Sequence, residues 1–192
     1  ARVIVAASSL LPVVERVRPE SSLEHVFIVH YADLLPPTSA TLDLPAELVA
    51  AQKEVRTVPA GSEDFLAATQ GTARPAPVEL SLDDVALMTY TSGTTGLPKG
   101  AMLSYGNALF KTTLCADCND VRPDDVLLSV APLYHIAGML MGVNVPVITG
   151  ATSVLLHRFD PHAVLQAIDH YKVSWWYSIA PMNVACMAQP DI

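Results

Sequence analysis

The sequence predicts an α/β fold, a mostly parallel sheet flanked by helices, and three observations lead there. Short apolar runs alternate with amphipathic stretches over most of the chain, the order produced by strands joined through crossover helices. One of these runs, Val85-Ala-Leu-Met-Thr-Tyr90, is nearly continuous in its apolar character, which predicts a strand covered on both faces. The composition agrees: 51% of the 192 residues are hydrophobic and only 16% charged, against about 25% charged in an average soluble domain. That balance excludes a disordered chain and supplies apolar side chains for a sizeable core.

The elements follow in order. Residues 3–7 form a β-branched and small apolar run, residues 10–17 an amphipathic stretch and residues 26–29 a second run, which together predict a strand, helix, strand unit. Residues 33–46 carry Pro36, Pro37 and Pro45 and suit a surface connection, residues 47–55 a helix, and residues 71–77 another Pro-rich linker. After the strand at 85–90 comes a loop of Gly, Ser and Thr, then strand character at 101–104. A helix through about Leu114 begins at Ser104 with Asn107, Ser104 being a favoured N-cap. Strands are predicted at 126–130, 153–157 and 173–179, and helices at 136–145 and 182–188. Asp160-Pro161 reads as a helix start, with Val164, Ile168 and Tyr171 repeating at i, i+4 and i+7 on its buried side. The division expected is an N-terminal α/β portion with Pro-rich linkers over 1–80 and a second α/β portion over 81–192.

Charge and cysteine content narrow the function. Nineteen acidic against eleven basic residues give a net charge of −8, which argues against a nonspecific nucleic-acid or anionic-membrane binder. A local anion site remains compatible with it. Three cysteines, Cys115, Cys118 and Cys186, make no even disulfide framework, and no secretory signal precedes the first strand, so a cytoplasmic setting is expected, with peripheral membrane association as its variant. Cys115 and Cys118 have redox or zinc spacing without a second ligand pair and are read as incidental. Residues 126–156 contain no Asp, Glu, Lys or Arg, longer than the roughly 20 apolar residues of a membrane helix. Pro132, Gly138, Gly142, Pro146 and Gly150 break that stretch, which predicts buried strands and a helix and no transmembrane segment.

Thr91-Ser92-Gly93-Thr94-Thr95-Gly96-Leu97-Pro98-Lys99-Gly100 is the most informative segment. Glycines let backbone N–H groups approach an anion, hydroxyls donate to phosphate oxygens or meet a metal, and lysine adds a point charge. The bland alternative is a Gly-rich turn; strand context, hydroxyl density and lysine together favour a phosphate grip. An ordinary P-loop is excluded, because Gly96 is followed by Leu-Pro-Lys-Gly and Pro98 stands where the helix would start. The G-x-G-x-x-G dinucleotide fingerprint also fails.

Tyr90 to Gly100 resembles the signature loop of the adenylate-forming (AMP-binding) superfamily, which includes acyl-CoA synthetases, peptide-synthetase adenylation domains and luciferases. The likeness continues through Ala101-Met-Leu-Ser104 and resumes at Ala131-Pro-Leu-Tyr-His-Ile-Ala-Gly-Met139, which is similar to the family's aromatic-histidine segment. It covers residues 80–188 well and residues 1–80 by position and coarse pattern. The resemblance implies a partial N-terminal domain of the acyl-CoA synthetase-like fold, most like a long-chain fatty acid–CoA ligase. It also implies a two-step reaction: a carboxylate attacks the α-phosphate of Mg²⁺-bound ATP, and the thiol of CoA then displaces AMP from the acyl-adenylate. On that resemblance Thr91, Ser92, Gly93, Thr94, Thr95, Gly96 and Lys99 hold the phosphates, Thr94 meets Mg²⁺, and His135 lies beside the reacting carboxylate. Tyr134, Gly138 and Met139 line the acid pocket. Met139 stands where one group of long-chain synthetases has a gating tryptophan, so that gate is not expected. The bland reading of His135 is a packed loop histidine capped by backbone.

The family's adenine, ribose and C-terminal lysine segments have no counterpart in these residues, so the expectation is a fragment that is inactive alone, with the C-terminal domain absent. The first residues, Ala1-Arg-Val-Ile-Val5, read as opening in mid-strand. The apolar excess then predicts an exposed apolar patch or a homo-oligomer that hides it. Two other functions remain open: an amino-acid or aryl-acid adenylation domain, and a non-catalytic nucleotide-binding or interaction module. No aspartate between Ile136 and Leu156 is available to pair with a substrate amine, which favours a fatty or aryl acid. Trp175 and Trp176 are expected to pack on opposite faces of a sheet. His25, His30, His157, His162 and His170 lack ligand spacing and receive no role.

Overall fold

The computed structural model describes residues 1–33, 35, 44–92 and 96–190. Most of the expected connection at 33–46, and Gly93, Thr94 and Thr95 of the signature loop, lie outside the described residues. The chain divides into two compact units, Ala1–Pro77 and Val78–Ile192.

In the first unit, β1 (Val3–Ala7) and β2 (His25–Val29) pair in parallel, joined by α1 (Leu11–Val17) between two 3-10 turns. Val14 of α1 packs on Ala6, Val26 and Ile28 to form its core. The helix expected at 47–55 is α2, Ala46–Ala51, and stops sooner. Two elements carry no sequence signal: β3 (Glu63–Asp64), which pairs in parallel with β2, and α3 (Phe65–Thr69). A two-residue strand has no period to detect, and α3 is one turn long. Its cap is Asp64, whose carboxylate accepts the Ala67 N–H at 2.8 Å. Arg56 bonds both Asp64 and Asp33, and Asp33 accepts the His30 N–H at 3.0 Å, so this one guanidinium ties three stretches of chain together.

The second unit begins with β4 (Val85–Thr91) and β5 (Lys99–Ser104), an antiparallel hairpin in which Tyr90 faces Gly100 and Thr91 faces Lys99. This corrects the expectation for residues 85–90. Among the described residues the hairpin is a two-stranded sheet of its own, and Val85, Met88 and Tyr90 are exposed. A continuous apolar run reports hydrophobicity but not which neighbours cover it. Ser104 and Asn107 form a reciprocal capping box that starts α4 (Tyr105–Cys118). Cys115 and Cys118 lie in its last turn as free thiols.

The remaining elements build a three-stranded parallel sheet in the order β7-β6-β8, with β6 (Val126–Ser129) central, flanked by β7 (Thr152–Leu155) and β8 (Trp175–Trp176). Between β6 and β7 runs one continuous helical stretch: α5 (Ile136–Met139), a π-helical segment (Leu140–Asn144) and α6 (Val145–Thr149). The stretch continues past residue 145 despite Pro146. Proline has no N–H for the carbonyl four residues back, that of Gly142, and the Ser153 hydroxyl of β7 donates to this carbonyl at 2.8 Å instead. After β7, α7 (Pro161–Tyr171) starts where expected, the Asp160 carboxylate accepting the Ala163 N–H at 2.9 Å; α8 (Ala180–Met187) closes the unit.

Alternation divides the core. Leu127 and Trp175 face Ala116, Leu140, Met141 and Val145 on one side of the sheet; Leu128, Val130 and Trp176 face Val164, Ala167 and Cys186 on the other. The opposite placement of the two tryptophans agrees with the sequence expectation. Strand β8 is shorter than the run at 173–179, because the Val173 N–H closes α7 onto Ile168 and the chain enters α8 at Ala180. Among the described residues no helix is long and apolar enough to cross a membrane.

Candidate active site

Strand pairing fixes the two ends of the signature loop. Thr91 and Lys99 are cross-strand partners, so the two ends of the loop lie side by side. Gly96 has φ +108°, a conformation that side-chain-bearing residues rarely adopt. Thr91, Ser92, Gly96 and Lys99 are all exposed. The Lys99 ammonium has no acidic partner among the described residues; the Thr91 hydroxyl donates to the Lys99 carbonyl at 3.5 Å, and Ser92 is exposed beside it. That donor set fits a polyphosphate.

The histidine segment leaves the carboxyl end of β6, the central strand, from which the chain goes to β7 on one side and later to β8 on the other. In parallel sheets the crevice beyond such a strand end is where ligands bind. The turn is set by two backbone bonds, His135 N–H to Pro132 O and Met139 N–H to His135 O, both 3.0 Å. The His135 Nδ1 accepts the Ala137 N–H at 3.2 Å and so caps α5. A ring nitrogen that accepts carries no proton, so the neutral ring holds its N–H at Nε2, as a donor. The capped histidine of the bland reading is therefore observed, and it leaves Nε2 available because the residue is exposed.

Gly138 is buried, and a Cβ there would lie 2.2 Å from the Pro132 carbonyl oxygen. Its task in this structure is to let the Ala131–Pro132 backbone sit on α5. Tyr134 is 88% exposed and Met139 half-buried. None of these three lines the apolar pocket next to them, a cavity of about 340 Å³. Its walls are Ile136, Leu140 and Asn144 on the helical stretch, Asn107, Ala108 and Lys111 on α4, and Leu87 and Leu103 on the hairpin. Sequence reasoning missed these residues, although Ile136, Leu140 and Asn144 stand at i, i+4 and i+8, the spacing of one helix face. Among the described residues no three His, Cys, Asp or Glu side chains are grouped to hold a metal, and Thr94 lies outside the described residues.

The second unit of this α/β chain thus carries an exposed lysine at the end of the hairpin and a capped histidine next to an apolar pocket. The chain belongs to the AMP-binding enzyme family, whose model matches residues 1–192. It is 35% identical over 168 residues, 88% of its length, to a feruloyl-CoA synthase from Amycolatopsis sp, of which it spans 33%. To a long-chain-fatty-acid–CoA ligase from Bacillus subtilis (strain 168) it is 32% identical over 57% of its length and 20% of that protein. Its fold is similar to that of ATP-bound MatB from Rhodopseudomonas palustris, with a TM-score of 0.72 at 22% identity, covering 99% of this chain and 32% of that one. The chain thus spans about a third of the length of the first relative and a fifth of the second.

Proposed function

We propose that these residues form the phosphate-holding and acid-binding part of an AMP-forming acid–CoA ligase. The observation that carries this reading is the adjacency of His135, with its Nε2 donor, to Ile136, the first residue of the pocket wall. An acid seated in the pocket would meet that donor with its carboxylate. Thr91, Ser92, Gly93, Thr94, Thr95, Gly96 and Lys99 hold the β- and γ-phosphates of ATP, with Thr94 toward Mg²⁺. Such positioning offsets the repulsion between an anionic nucleophile and an anionic phosphate. ATP supplies the leaving pyrophosphate, and CoA is the thiol that receives the acyl group. Tyr134 and Met139 border the mouth of the acid site. The lining contains no carboxylate to pair with a substrate amine, which supports a fatty or aryl acid over an amino acid; relatives named for each of the former exist.

Calorimetric titration of the chain with Mg-ATP and with pyrophosphate tests the phosphate assignment. Lys99→Ala is expected to weaken both about tenfold or more, the usual worth of a charge-assisted contact. Equal affinities for the two chains would overturn it. Acid-dependent pyrophosphate exchange by these 192 residues is expected to stay at background.

A further inference from the structure

The helical stretch after His135 has two unlike faces. Ile136, Leu140 and Asn144 wall an apolar slot. Gly138 and Gly142 stand two positions from these residues and so turn to the other side, since two residues carry a helix through about 200°. On that side the contact is with the end of the central strand. A Cβ on Gly142 would lie 2.1 Å from Ser129 Oγ, 2.9 Å from Ser129 Cβ and 3.1 Å from Leu133 Cδ2. Gly142 is itself buried, and so is Ser129.

Ser129 has no room to yield to such a group. It is the last residue of β6, paired with Leu155 of β7, and its carbonyl accepts the Leu156 N–H at 2.9 Å. Rotating its hydroxyl away still leaves its Cβ nearer than carbon atoms pack. The helical stretch is therefore seated on β6 at Gly142 and, one turn earlier, on the Ala131–Pro132 backbone at Gly138. In a plain α-helix residue i+4 overshoots a full turn by about 40°. The wider π turn, closed by the Val145 N–H on the Leu140 carbonyl, reduces that overshoot and brings the second glycine into line with the first. Between the two seats and the strand runs the turn that carries His135.

We infer that Gly142 is a positioning residue for His135 and for the slot. By letting the helical stretch sit directly on Ser129, it sets where Nε2 points and how far Leu140 and Asn144 stand from the opposite wall. This rests on the reading of His135 as the donor that meets the acid's carboxylate, and adds to it the contact that aims the donor.

The test combines histidine nitrogen NMR with affinities for octanoate and for inorganic pyrophosphate; His135→Asn assigns the His135 signals among the six histidines. In the wild-type chain His135 is expected in the tautomer protonated at Nε2. In Gly142→Ala that signature should give way to a mixture of tautomers, and octanoate should bind about tenfold more weakly, with pyrophosphate affinity unchanged. Adding Ser129→Gly removes both Oγ and Cβ from the contact, and should restore the signature and the octanoate affinity together. The pair also decides the matter if Gly142→Ala alone does not fold. A double variant that folds with the wild-type His135 signature upholds the inference; one that does not fold, or folds without that signature, overturns it. An unchanged tautomer and octanoate affinity in folded Gly142→Ala overturns it too, as does equal weakening of octanoate and pyrophosphate, which marks a loss of structure only. If no chain binds octanoate, the acid reading fails, while the His135 signature still decides the positioning.

Discussion

His135 has two nitrogens with two different duties, and substitution can part them. The Nδ1 holds the first turn of α5, while Nε2 faces outward. Asparagine is also a good N-cap, so His135→Asn is expected to keep the melting midpoint while removing the Nε2 donor, and His135→Ala to cost about 1 kcal/mol of stability as well. Thermal melts paired with acid binding separate the two: equal melts for all three chains would mean that the cap contributes nothing. Gly138 sets the same turn from below. A methyl group placed 2.2 Å from the Pro132 oxygen must push the turn away, so Gly138→Ala should destabilise the second unit by about 1–3 kcal/mol and weaken acid binding through displaced His135. A melt and acid affinity identical to wild type would contradict this placement.

At the scale of elements, the helical stretch between β6 and β7 is the least regular and the most instructive. Pro146 frees the Gly142 carbonyl, and Ser153 occupies it from the neighbouring strand. Ser153→Ala should cost about 1–3 kcal/mol, since it strands a buried acceptor. In Pro146→Ala background, where residue 146 regains an N–H, the same change is expected to cost much less. Additive effects in denaturant melts of the four chains would remove the link. These residues also show what could be read in advance. The Asp160 cap, the Ser104 capping pair and the tryptophan alternation were legible, because each is a local rule acting on adjacent residues. The exposed faces of β4 were not, because covering depends on partners distant in sequence. Likewise Tyr134, Gly138 and Met139 drew attention by their motif, whereas the pocket wall is made by the next face of the same helix with Lys111 and Leu87 brought in from elsewhere.

Across the second unit as a whole, Asp125 is the junction of the parallel sheet. It precedes β6; its carboxylate accepts the Arg122 N–H at 2.8 Å and the Ser174 hydroxyl, just before β8, at 2.7 Å, and its carbonyl accepts the Thr152 N–H of β7 at 3.0 Å. The Arg122 N–H first, and the Ser174 hydroxyl second, hold the Asp125 carboxyl below the ordinary aspartate range. A depressed folded-state value means that the stabilisation is complete above the unfolded value, about pH 4, and is lost as pH falls through the folded one. Asp125→Asn should therefore melt below wild type near pH 7, and the gap should close as the pH drops under about 4. A gap that is constant or widens in acid would assign the junction to something other than the carboxylate charge.

The placement of Trp175 and Trp176 on opposite faces of that sheet gives the protein a pair of optical gauges. They are its only two tryptophans. Trp175 packs with the helices that wall the pocket, and Trp176 with α7 and α8 behind the sheet. With Trp176→Phe the remaining emission reports on the pocket side, and with Trp175→Phe on the rear. An acid entering the slot should shift the first signal and leave the second still, so the two single-tryptophan chains follow the front and back of one sheet in separate colours.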